Sequence, residues 1–229
     1  MGWKTSLIII QNQNNFKDEN AILKAINKED YSYAKDVIFE DCMYFGDKSI
    51  NIGYFNENII ICDDYQITSK SFDNVEELNL NLIREEENLS KLFPSAEIIS
   101  IACHSVVNYH AYSLIQKGKK VRVKVIASEG NLIELGLKPR VEFGLKTKEE
   151  EDIYARGFEK DGKFYWKDEF DPEYEFTEDQ LMEDFTFGFA NRLLGVYIDS
   201  DEGKKLMETK FRKYVRPDFL NKIWRKITK

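Results

Sequence analysis

A chain of 229 residues with 42% hydrophobic, 14% aromatic and 32% charged side chains holds enough apolar material to fold around a core, which excludes a disordered chain. No apolar run approaches the roughly 18 residues that a membrane span needs, and Met1–Gln13 has an apolar block of only four residues, Leu7–Ile10, so neither a transmembrane segment nor a signal peptide is expected. The net charge of −8 is uneven: residues 204–229 hold 10 of the 33 Lys and Arg but 2 of the 41 Asp and Glu, leaving a body near −16 and a tail near +8.

In chain order, Gly2–Ile10 passes from small and polar residues into a continuous β-branched run, the pattern of a central strand. Asp18–Asn27 places Ala21, Ile22, Ala25 and Ile26 at helical spacing. Val37–Tyr44 reads as extended. Ile50–Phe55 and Ile59–Cys62 flank Asn56-Glu57-Asn58, a hairpin with Asn for the left-handed turn position. Asp73 and Glu76 form a capping box that opens a long helix, with Val75, Leu78, Leu82, Leu89 and Leu92 along one stripe down to Phe93 before Pro94. Glu85-Glu86-Glu87 is expected on its solvated side.

Ile98–Ala102 is a short apolar run, strand or buried helix by periodicity alone. Tyr109–Gln116 and Val121–Ile126 are β-rich and separated by Lys117-Gly118-Lys119-Lys120, a second hairpin. Val121, Val123 and Val125 alternate with Arg122 and Lys124, which predicts a half-buried strand with its charges in water. Lys146–Asp152 is a charged linker or helix, and Asp161-Gly162 between aromatic residues signals a third hairpin over Phe158–Trp166. Thr177 with Gln180 is another capping box, opening Glu178–Leu194; Leu181, Phe185, Phe189 and Leu193 favour a buried helix, while Phe185-Thr186-Phe187-Gly188-Phe189 also satisfies a strand. From Asp199 the composition becomes basic, and Leu220, Ile223, Trp224 and Ile227 suggest a helix after Pro217. Together these elements predict an α+β fold: one main domain over residues 1–199, mostly antiparallel sheet with packed helices, and a basic helical appendage over 200–229.

The segments MGWKTSL at the start, HSVVNYHAYSLIQKGKKVR from His104, Ser128-Glu129-Gly130-Asn131-Leu132-Ile133-Glu134-Leu135-Gly136, and DFTFGFANRLLG from Asp184 resemble a bacterial family of uncharacterised proteins known as DUF6928. The resemblance runs in order from Met1 to about Gly195. Segment 152–172 departs from that family's tryptophan- and proline-rich loop, and the tail after Asp199 has no counterpart in it. That family has no established activity, so the resemblance implies a shared fold and no residue role.

Cys42, Cys62 and Cys103 are odd in number and widely spaced, which argues against a disulfide framework and for reduced thiols in the cytoplasm. Cys103-His104 and His104-Ser105 are neighbours, and neighbours on a strand face opposite ways, so a hydrolase site would need His104 or Ser105 to meet a distant carboxylate such as Glu129 or Glu134. His104 and His110 lie about 20 Å apart along an extended strand at ~3.3 Å per residue. With no Cys-x-x-Cys, no metal site is expected. Asp199–Gly203 imitates the start of a calcium loop, but its glycine is misplaced and no closing glutamate follows. Neither dinucleotide nor P-loop glycine pattern occurs, so no cofactor is expected. The acidic aromatic stretch Lys167–Asp179 is a candidate partner-binding surface, with Asp168, Glu169, Asp171, Glu173 and Tyr174 as its contact residues. An acidic body repels nucleic acid and favours a basic protein; the basic tail could touch nucleic acid, an anionic membrane surface or that acidic body, the last being the simplest by charge complementarity. The leading expectation is a non-enzymatic binding protein, with an immunity-type neutraliser of a basic toxin domain as one form; the alternative is a hydrolase-like enzyme around His104 and Ser105.

Overall fold

The computed structural model describes residues 2–43, 46–72, 79–126, 132–136 and 148–217. Nine strands among them form one antiparallel sheet: β1 (Lys4–Gln11), β2 (Ser32–Ile38), β3 (Ile50–Phe55), β4 (Asn58–Cys62), β5 (Glu97–His104), β6 (Tyr109–Gln116), β7 (Lys119–Ile126), β8 (Leu132–Gly136) and β12 (Lys210–Val215). Their order across the sheet is β2-β12-β3-β4-β1-β5-β6-β7-β8. A small sheet of β9 (Phe158–Lys160), β10 (Lys163–Lys167) and β11 (Glu175–Thr177) has the order β11-β10-β9. The α+β expectation, a large antiparallel sheet with packed helices, describes the molecule.

The three tight hairpins follow from local chemistry. Asn56 and Glu57, Lys117 and Gly118, and Asp161 and Gly162 all take positive φ, the two-residue turn whose twist matches that of the flanking strands.

Both faces of the sheet are covered at its centre, over β1, β4 and β5, which explains the unbroken apolar runs there, while the edge strand β2 is largely exposed. Leu7 and Ile9 of β1, Ile60 of β4 and Ile99 and Ile101 of β5 enter one core. Ile8, Ile10, Ile59, Ile61 and Ile98, each one residue out of step, enter the other. Burying each such side chain contributes roughly 1.5–3 kcal/mol before entropy is counted. The first core is roofed by α5 (Lys148–Tyr154) and α6 (Met182–Leu194) through Ile153, Tyr154, Phe185, Phe187 and Phe189. The second is covered by α1 (Glu19–Ala25) and α4 (Arg84–Leu92), which contribute Ile22, Leu23 and Leu89. Helix α6 is entered through the expected box, with Gln180 Oε1 accepting from Thr177 N at 2.9 Å, and ends on Gly195 at φ 70°, a left-handed cap. The helical alternative for 178–194 therefore holds and the strand alternative does not.

Four expectations are corrected. Residues 210–215 are not a helical appendage: β12 lies between β2 and β3, burying Phe211 and Tyr214. Among the described residues of the tail, Arg212 meets Glu19 of the acidic body at 3.1 Å and Arg216 meets Asp30 at 2.8 Å. Residues beyond 217, with Leu220 to Ile227, lie outside the described residues. Residues 79–83 are not helical, so the helix that ends at Leu92 begins only at Arg84; the box at Asp73 and Glu76 falls outside the described residues. Glu85 and Glu86 are buried, Glu86 against Lys120 at 2.8 Å and Glu85 against Lys70 at 2.6 Å. The segment expected to be extended from Val37 is so only to Ile38, after which Phe39–Cys42 form a helical turn, α2, and a further short helix, α3, is Thr68–Phe72; Tyr44 lies outside the described residues.

Candidate functional site

Strand β5 ends at His104, and a single 3-10 turn, Ser105–Val107, closes on Asn108 in the left-handed conformation before β6 returns. This return sets Cys103 directly opposite His110. Directly opposed residues share a face of the sheet, here the face beneath α6. The first turn of α6 delivers Glu183, and donor atoms of Cys103, His110 and Glu183 all lie within 4.8 Å of one another. Ser105 Oγ donates to Glu183 Oε2, accepts from Trp3 N at 3.1 Å and sits 3.6 Å from Cys103 Sγ. His110 is 3% exposed, and its Nδ1 has no hydrogen-bond partner. Burial holds the His110 imidazole down to about 4 and pushes the Cys103 thiol up to about 12, because each charged form would lose its hydration.

The predicted catalytic candidates do not come together as expected. Ser105 meets a carboxylate, but it is Glu183. His104 lies on the opposite face of β5 from Cys103, half-buried, with Nδ1 unpartnered. Glu134 is engaged elsewhere, 3.1 Å from Lys124 Nζ and 3.6 Å from Arg122 Nη2. Glu129 lies outside the described residues. No sequence reading picked out Glu183, since nothing local marks it. The pairing of Cys103 with His110 was recoverable by counting back from a turn at 105–108.

Arg122 and Lys124 overturn another expectation, for both are fully buried. They face α5 and α6 rather than water. Arg122 Nη2 reaches Glu150 at 2.8 Å, and Lys124 Nζ reaches Glu178 at 2.6 Å and the face of Phe185 at 3.7 Å. Attraction to Lys124 and Arg122 outweighs burial and holds the Glu134 carboxyl below its usual range.

The second place of interest is the loop between β10 and β11. Asp168 Oδ1 accepts from Phe170 N and Asp171 N, each at 2.8 Å, while Asp168 N donates to Tyr174 O at 3.1 Å. This side-chain-closed turn pushes Phe170 into water, 94% exposed, with Glu169, Asp171 and Glu173 exposed around it. Tyr174, 48% exposed, sets its ring edge-on to Phe176 at 5.0 Å. Beside the loop a cleft of about 310 Å³ is lined by Trp166, Phe176 and Leu181, by the carboxylates of Asp168, Glu169 and Asp184, and by the cations Arg156 and Lys167. Of the five predicted contact residues, Glu169, Asp171, Glu173 and Tyr174 are presented to solvent; Asp168 organises the loop.

No family model, curated protein or solved structure matches this chain. No helix among the described residues is long and apolar enough to cross a membrane.

Proposed function

We propose that this chain is a non-enzymatic binding protein whose β10–β11 loop receives a basic protein. The observation that carries the reading is Phe170, 94% exposed on a loop that hydrogen bonds hold in shape, within a ring of carboxylates. A large aromatic side chain held in water costs solvation free energy, and a pre-shaped loop loses little entropy on docking. The carboxylates around Phe170 supply attraction and orientation for a cationic surface. Neutralisation of a basic toxin domain, in the manner of immunity proteins, is the form of this activity that the chain's net charge of −8 and the exposed carboxylates around Phe170 favour.

The test is affinity capture from native lysate with the wild-type chain and a Phe170→Ser, Glu169→Lys, Glu173→Lys variant that leaves Asp168 in place. A basic protein retained by the wild type, and binding the variant about 30-fold or more weakly once purified, is expected, since loss of an anchoring aromatic alone removes about 2 kcal/mol. Equal retention by both chains, or retention of no basic protein, overturns the reading.

A further inference from the structure

Cys103, His110 and Glu183 share no sequence motif, and the acidic loop makes no use of them. We propose that these three residues bind one divalent transition-metal ion, zinc foremost, with Ser105 positioning the carboxylate ligand.

The donor set is one sulfur, one imidazole nitrogen and one carboxylate oxygen, each from a different element: β5, β6 and α6. Such a mixed set suits a borderline-soft ion and is poorly suited to calcium or magnesium, which take oxygen ligands. Tetrahedral zinc with bonds of about 2.0–2.3 Å places its donors about 3.5 Å apart. The present mutual spacing, within 4.8 Å, closes onto an ion through side-chain shifts of roughly 1 Å.

Two further observations point to a ligand. His110 is almost wholly buried, yet its Nδ1 makes no hydrogen bond; a buried histidine is ordinarily satisfied. Glu183 is steadied by the Ser105 hydroxyl, which Trp3 N holds from the other side. A hydrogen-bonded ligating carboxylate is the usual outer arrangement of a metal centre. Glu183 and Ser105 are only half-buried beside the exposed Val106 and Val107, so an ion has a route in from that turn. Three protein donors leave one position open, the count found in zinc sites that hold water or substrate. On binding, the Cys103 sulfhydryl proton passes to buffer and the sulfur coordinates as thiolate.

The experiment is titration of the full chain, reduced and stripped of metal, with Co²⁺ and then Zn²⁺. One equivalent of Co²⁺ should produce thiolate-to-cobalt charge-transfer absorption that Zn²⁺ abolishes, with a zinc Kd at or below the micromolar range by chelator competition. Cys103→Ser should eliminate the absorption, and the Cys42→Ser/Cys62→Ser double variant should keep it. Glu183→Gln and Ser105→Ala should each weaken zinc binding about tenfold or more. If Cys103→Ser fails to fold by circular dichroism, the half-buried Glu183→Gln decides. Absence of the charge-transfer band, its persistence in folded Cys103→Ser, or unaltered affinity in Glu183→Gln overturns the site.

Discussion

Glu150 Oε1 takes three donors beneath the sheet: the Tyr112 hydroxyl, Arg122 Nε at 3.0 Å and Arg122 Nη2 at 2.8 Å. Desolvating both charges is expensive, so the pair adds little net stability, but removing Glu150 leaves the buried Arg122 with only the longer, part-exposed contact to Glu134 at 3.6 Å. Glu150→Ala is therefore expected to lower the unfolding free energy by about 3–5 kcal/mol, measured by urea denaturation. The Arg122→Met/Glu150→Gln double variant removes the buried cation and still offers Tyr112 an acceptor, so it should lose less than Glu150→Ala alone. An equal or larger loss would refute the stranded-charge explanation. Glu97 poses the pH question. Hydrogen bonds from Arg192, at 2.8 and 2.9 Å, hold its carboxyl below the usual carboxylate range, with burial opposing. A group that titrates lower when folded stabilises the fold above its unfolded value, about 4.3 for glutamate, and that contribution disappears as pH falls through the folded value. The urea midpoint should thus decline as pH drops below about 5, and Arg192→Met should flatten that decline; an unchanged slope would rule out Glu97 as its source.

At the scale of elements, β12 is the piece on which the sheet closes. It pairs antiparallel with β2 and with β3, and Phe211 lies opposite Gly53. A Cβ built on Gly53 would fall 2.5 Å from the Phe211 ring, which is itself fully buried and tilted over Phe39 at 5.3 Å. Gly53→Ala should therefore destabilise by about 1–3 kcal/mol through overpacking. Combining it with Phe211→Leu should give less than the sum of the two losses, since the residues share one space. Strict additivity in thermal or urea unfolding would mean the ring moves aside freely.

For the whole molecule, charge is divided between two uses. Part of the basic tail neutralises the body through Arg212, Lys213 and Arg216, and the carboxylates of Glu169, Asp171 and Glu173 around Phe170 stay exposed at the proposed binding loop. Exposed charges are screened over about 8 Å at physiological salt, and apolar contact is not. Binding to a basic partner should weaken as ionic strength rises from about 0.05 to 0.5 M, where the screening length shortens several-fold. The loss caused by Glu169→Lys should shrink over that range and the loss caused by Phe170→Ser should persist. Salt-insensitive binding would remove the carboxylates from the interface.

What the sequence by itself determined is mostly local. The three hairpins were legible because Asn, Asp and Gly accept the turn geometry, the α6 box because Thr177 and Gln180 satisfy each other, and the central strands because a sheet covered on both faces leaves its apolar runs unbroken. The acidic loop was legible too, from aromatic residues set among carboxylates. Tertiary structure alone decided the rest. Alternation in Val121–Ile126 is the same whether Arg122 and Lys124 face water or face Glu150, Glu134 and Glu178, and only the placement of α5 and α6 chooses between them. A basic composition hid β12, because charge says nothing about which edges a strand can fill. Cys103, His110 and Glu183 come from two strands and a helix, so their meeting is a property of register and packing that no local pattern can carry.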